Sequence, residues 1–177
     1  MRFADEALAA NKLAAMTYHG DKVLGPQPVR HVAVLACMDA RLDTFKSLGL
    51  SLGDCHVLRN AGGRATDDAI RSLTLSSHVL ETREFLVIHH TDCGLHNRTN
   101  EDLYRVLAES GVDAHGYDFL PIPDLEASVR EDVDAIVKSP LMLPGIHVTG
   151  FIFDVRTGLL SEVCEGDTLG PPATQRT

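Results

Sequence analysis

The stretch that most restricts this chain is HVAVLAC at 31–37, an apolar run too short for a typical helix and too continuous for a strand with one wet face. Such runs mark strands covered on both sides, as in parallel sheets. CHVLRN at 55–60 and EFLVIHH at 84–90 read as two more strands of this kind. Between them, residues 66–82 place Ile70, Leu73, Leu75, Val79 and Leu80 mainly on one helical face. Asp67 and Asp68 fall in its first turn, where the helix dipole favours acid. Segments 100–109 and 124–138 read as further helices, and 148–155 with 159–163 flank a Thr157-Gly158 turn that predicts a last strand and a hairpin. Strands alternating with helices give an α/β fold with a largely parallel sheet.

The ends are less informative. Phe3, Ala7, Leu8, Leu13 and Met16 recur at roughly helical spacing, which predicts an N-terminal amphipathic arm within 1–24 before Gly25, Pro26 and Pro28 break the chain. Residues 166–177 are polar and contain proline, and are expected to be a flexible tail. A length of 177 residues suits a single domain, and 44% apolar residues suffice for a core. The formal charge of −9 excludes nucleic acid and anionic membrane as expected partners, because no basic run offsets the repulsion. No apolar stretch approaches the roughly 18 residues of a membrane span, and the N-terminus lacks the apolar core of a signal peptide. A cytoplasmic location is the default, and there four cysteines are free thiols or metal ligands rather than disulfides.

Chemistry gathers where the first and third strands end, at Cys37-Met38-Asp39-Ala40-Arg41 and His90-Thr91-Asp92-Cys93-Gly94. Sites in parallel α/β sheets form just beyond the carboxyl ends of strands. If these two strands are neighbours, Cys37 meets His90 and Cys93. Two thiolates and an imidazole suit Zn2+, and three protein ligands leave a fourth position for water, as in catalytic zinc sites. Two thiolates also cancel the metal's charge, so the active hydroxide should accumulate only toward alkaline pH. Asp39 is placed to accept a hydrogen bond from the hydroxide's proton and so orient its lone pair, with Arg41 keeping the carboxylate ionised. The same carboxylate could swing onto the metal and close the site. Plainer readings exist for each part: Cys37 as a small buried hydrophobe, Asp39 and Arg41 as a surface ion pair. Spacing alone does not decide between them.

CMDAR at 37–41, RNAGG at 59–63 and HHTDCG at 89–94, in that order, resemble the β-class carbonic anhydrases over roughly residues 31–94, with a looser match near 150–155. The short length and ACMDARLD are similar to a compact bacterial branch of that family. The resemblance implies four parallel strands plus an extra C-terminal edge strand, flanking helices, and a homodimer or higher homo-oligomer onto which the N-terminal arm packs. It implies zinc on Cys37, His90 and Cys93, an Asp39–Arg41 dyad, and reversible hydration of carbon dioxide to bicarbonate. Asn60, Ala61, Gly62, Gly63 and Gly94 would lie at the substrate pocket, although RNAGG reads equally well as a plain strand-to-helix turn. The chain has no tryptophan, so a bicarbonate-regulated site built on one is not expected. Carbonyl sulfide or carbon disulfide hydrolysis on the same scaffold is the alternative, and a non-catalytic zinc-stabilised interaction protein is a third. Of the remaining residues, His89 faces away from the ligands, His56 and His96 are candidate proton carriers, and Cys55 and Cys164 are structural thiols. Asp92 is expected to hold its loop by bonding its own backbone.

Overall fold

The computed structural model describes residues 2–18 and 25–171. At its centre β1 (Val32–Cys37) is flanked by β2 (Cys55–Asn60) and β3 (Glu84–His90), and the sheet runs β2-β1-β3-β4-β5. The first four strands are parallel, and β5 (Leu160–Asp167) returns antiparallel along the edge of β4 (His147–Phe153). Residues 33–37 of β1 are all buried, which is why that segment carries no polar alternation. The chain steps outward from β1 to β2 and then crosses back to β3. That reversal opens a crevice at the carboxyl ends of β1 and β3, where α/β folds place their ligands.

Side-chain alternation along the strands feeds two cores. Leu35, Phe85, Val87 and Val148 meet Ala69 and Leu73 of α3 (Asp67–His78) and Val129, Val133 and Ile136 of α5 (Leu125–Val137). Val34, Ala36 and Ile88 form the other core with Leu42, Ile122 and Phe153. Gly150 marks the closest approach of β4 to α5, where a Cβ would collide with Val129 and Val133.

The departures from expectation have local causes. Helix α3 stops at His78, because Glu81 adopts a left-handed φ of 64° and the Thr82 amide turns back to the Ser76 carbonyl. A five-residue helix, α2 (Thr44–Leu48), capped by the Asp43 carboxylate, was too short to show as periodicity. Helix α4 (Asn100–Ala108) begins at a capping box of Thr99 and Asp102. The segment 166–177 does not begin as a tail. Strand β5 extends to Asp167, and buried Thr168 bonds the Ile146 amide (2.8 Å) and the Leu143 carbonyl through its hydroxyl. A polar side chain is ordered there by satisfying backbone groups; residues 172–177 lie outside the described part. The N-terminal helix α1 (Phe3–Met16) buries none of its residues, and residues 19–24 of the arm are likewise outside the described part. No described helix is long and apolar enough to cross a membrane.

Candidate metal centre

The register of β1 on β3 pairs Ala36 with Ile88, so Cys37 ends its strand beside the last residues of β3. Asp92 takes a left-handed φ of 56°, which turns the chain back and returns Cys93 toward His90. The ligand atoms of Cys37, His90 and Cys93 then lie within 4.8 Å of one another, all three residues buried. The His90 Nδ1 hydrogen donates to the Thr91 carbonyl at 2.9 Å. A carbonyl only accepts, so Nδ1 carries the proton and Nε2 presents its lone pair. That Nε2 is buried without a hydrogen-bond partner, an arrangement that costs free energy unless something else binds it.

The two sulfurs lie close enough to couple their ionisation. The neighbouring Cys93 thiol draws the Cys37 pKa down and Cys37 pushes the Cys93 pKa up, while burial raises both. Backbone N–H groups of Asp39 and Gly62 point at the Cys37 sulfur, and that of Leu95 at Cys93. A buried donor set of two soft sulfurs and an imidazole lone pair fits a metal of zinc's type.

Beside this trio, Arg41 forks onto Asp39, with Nε to Oδ1 at 3.0 Å and Nη2 to Oδ2 at 2.8 Å, and its amide adds a bond to Oδ1 at 2.9 Å. These bonds hold the Asp39 carboxyl well below the usual carboxylate range. Asp39 Oδ2 stands 3.9 Å from His90 Nε2. Asp92, expected to bond its own backbone, instead gives its carboxylate to Arg41 Nη1 at 2.7 Å and its carbonyl to Nη2 at 2.9 Å. Arg59, which sequence reasoning passed over, donates from Nε to the Cys37 carbonyl at 2.9 Å and from Nη2 to the Asp39 carbonyl.

The RNAGG segment lies against the trio. Gly63 has φ 72°, and a Cβ there would stand 2.9 Å from the Cys37 nitrogen and 3.0 Å from the Ile88 oxygen, so backbone packs where a side chain would be. Gly62, at φ 80°, is similarly enclosed by Leu95 and Ile122. Asn60 turns inward and clamps this loop, bonding both the amide and the carbonyl of Arg64. Ala61 is exposed, as is Gly94, where a Cβ would meet nothing within 4 Å.

Behind the loop lies a buried charged group that the sequence reading missed. Asp132 of α5 accepts from the Ala65 amide (3.0 Å) and from His89 Nε2 (2.9 Å), and its Oδ2 makes an ion-pair contact with Arg64 Nε at 2.9 Å. His89 thus faces away from the ligands, as expected, and carries the sheet's connection to α5. The signal was an acid on the core stripe of α5, among Ser128, Val129, Val133 and Ile136. His56 is far from the centre: it pairs with Ala33 at the other end of the strands, and both ring nitrogens are bonded, to Ser76 and to the Pro26 carbonyl. His96 is nearer, its amide bonded to the Cys93 carbonyl.

The family model for carbonic anhydrase matches residues 32–113. Beta-carbonic anhydrase 1 of Mycobacterium tuberculosis is 40% identical over 163 residues, which span 92% of this chain and 99% of that protein. The crystal structure of carbonic anhydrase from Streptococcus mutans superposes with a TM-score of 0.86 at 47% identity, covering 93% of this chain and 99% of that one. Carbon disulfide hydrolase of Saccharolobus solfataricus is 38% identical over 152 residues, 72% of this chain and 74% of that protein. Likeness at this level along almost the full length of both chains, on a sheet order that draws the two ligand loops together, makes this chain a member of the β-carbonic anhydrase family.

Proposed function

We propose that this chain is a zinc enzyme that reversibly hydrates carbon dioxide to bicarbonate. One observation carries the reading: a buried Cys37–His90–Cys93 trio whose imidazole lone pair has no protein partner, beside an Asp39 carboxylate already forked by Arg41. Cys37, His90 and Cys93 would hold the zinc, which when bound supplies the Lewis acidity that makes water a nucleophile.

The remaining chemistry belongs to the chain. Asp39 is too weak a base to keep a proton at working pH, so it orients the nucleophile by accepting a hydrogen bond and does not act as the proton acceptor. Arg41 occupies both of its oxygens and thereby fixes its direction. The N–H groups aimed at the Cys37 and Cys93 sulfurs draw off part of their negative charge, which lets the centre keep more of its electrophilicity. Gly62 and Gly63 let the backbone pack close against the centre, where a side chain would not fit. The proton released in each turnover must reach solvent, and His96 is better placed for this than His56.

Carbon disulfide hydrolysis is the second reading, favoured by 38% identity to a hydrolase of that substrate. The degree of likeness favours carbon dioxide, since the Streptococcus mutans carbonic anhydrase is 47% identical with a TM-score of 0.86, and a carbon disulfide hydrolase structure is 28% identical with a TM-score of 0.67. Stopped-flow hydration of carbon dioxide between about pH 6.5 and 9, run in parallel with carbonyl sulfide and carbon disulfide hydrolysis and with a Cys93→Ala control, tests the choice. Zinc-dependent hydration that rises toward alkaline pH is expected. Turnover of carbon disulfide alone would assign the second reading, and turnover of nothing would leave a zinc-stabilised protein without catalysis.

The chain is further proposed to be a cytoplasmic homo-oligomer. None of its four cysteines is in a disulfide, which suits a reducing compartment. Helix α1 exposes Phe3, Leu8, Leu13 and Met16 and buries none of its residues, as expected of an arm that packs on a second copy.

A further inference from the structure

We infer that Asp92 is a positioning residue of this centre: by gripping Arg41 from the far side, it holds Arg41 on Asp39 and so keeps the Asp39 carboxylate off the metal's fourth position. This rests on the proposed metal centre and goes beyond it, because the expected dyad involves Asp39 and Arg41 alone.

The argument begins with the Arg41 donors. Nε and Nη2 go to Asp39, while Nη1 goes to the Asp92 carboxylate at 2.7 Å and Nη2 also reaches the Asp92 carbonyl at 2.9 Å. A planar guanidinium held on two edges cannot rotate off one partner without breaking with the other. With Asp39 as its sole partner, Arg41, whose side chain is 46% exposed, would exchange freely with water.

Asp39 has an alternative within reach, since its Oδ2 already lies 3.9 Å from the His90 ligand nitrogen. The left-handed backbone at Asp92 serves both ends of this arrangement. It returns Cys93 to the trio and directs the Asp92 side chain and carbonyl to one guanidinium. The two loops that hold the ligands are therefore tied through Arg41 across 51 residues of sequence.

Because Asp92 is 70% exposed, its grip biases an equilibrium between an open and an Asp39-closed centre and does not lock it. An exogenous anion binds only the open centre, so its apparent affinity falls with the open fraction.

The test is titration of thiocyanate into the cobalt-substituted full chain, read from the visible d–d bands. Asp92→Gly and Asp92→Asn are suitable variants because both residues tolerate a positive φ. Asp92→Gly is expected to weaken apparent thiocyanate affinity by about two- to fivefold, with Asp92→Asn between it and wild type. In an Asp39→Asn background, which removes the closing carboxylate, the Asp92→Gly effect should disappear. Equal affinity in wild type and Asp92→Gly would overturn the inference. So would an effect of undiminished size in the Asp39→Asn background, since Asp92 would then act on its loop and not through Asp39. Failure of wild type itself to take up cobalt would overturn the metal centre and this inference together, a result separable from the other two.

Discussion

Two arginines brace the same centre from opposite sides under different physical rules. Arg41 stands in front, about half exposed, with Asp39 and Asp92. Arg64 lies behind, 8% exposed, against an Asp132 that is 6% exposed and a His89 that is fully buried. Ion pairs in water contribute little and rearrange readily, whereas a buried pair cannot lose one member without stranding the other's charge. The rear group therefore fixes where the segments carrying Cys37, His90 and Cys93 sit, and the front group remains free to bias what happens at the proposed metal centre.

The largest expected effect tests the rear. Asp132→Ala takes the buried carboxylate from Arg64, which keeps only the exposed Glu131 as an ion-pair partner at 3.1 Å, and removes the acceptor of the Ala65 amide; it should cost about 3 kcal/mol in urea unfolding. Adding Arg64→Met should return about half of that loss, since an apolar replacement leaves no buried charge. A loss under about 1 kcal/mol for the single change would erase the contrast between front and rear.

Next comes the loop between them. Gly63→Ala puts a Cβ against the Cys37 backbone at a positive φ, which should cost about 1–3 kcal/mol and weaken metal uptake in a competition titration. The front should behave in the opposite way. Arg41→Gln is expected to leave the unfolding midpoint within experimental scatter while carbon dioxide hydration falls about tenfold or more, because orientation and not folding is lost. A destabilisation on the scale of Asp132→Ala would show that the front is structural too.

The smallest effect lies at the sheet edge, in a third charged group. The hydrogen bond to Asp167, at 3.0 Å, raises the His147 pKa above its ordinary value. The sign follows from that direction: the stabilisation is fully present below the unfolded pKa of about 6.5 and disappears as pH rises through the higher folded value. His147→Gln should remove a few tenths of a kcal/mol from stability at pH 6 and almost nothing at pH 9.

How much could be read from the sequence follows the same division. The cluster of Cys37, His90 and Cys93 was legible because each ends or follows an apolar strand, and one assumption, that β1 and β3 adjoin, brought them together. Strand β3 matched its apolar run for the same reason, whereas β2, expected to be covered on both faces, has the expected range but lies at the sheet edge with only Cys55 buried. Arg64, His89 and Asp132 come from three distant segments, and only the packing of α5 makes them one group; the acid on the core stripe of α5 was the available sign. Asp92 was noticed but assigned to its own backbone, since nothing local reveals that its left-handed turn aims it at Arg41. Helix α2 and Thr168 escaped because five residues show no period and a lone threonine shows no burial.

The most direct measurement is zinc-edge X-ray absorption on the purified protein at full zinc occupancy. The account predicts a shell of two sulfurs at about 2.3 Å and two lighter atoms at about 2.0–2.1 Å, one of them imidazole nitrogen, with one sulfur lost in Cys93→Ala. A shell without sulfur, or one unchanged by Cys93→Ala, would contradict it.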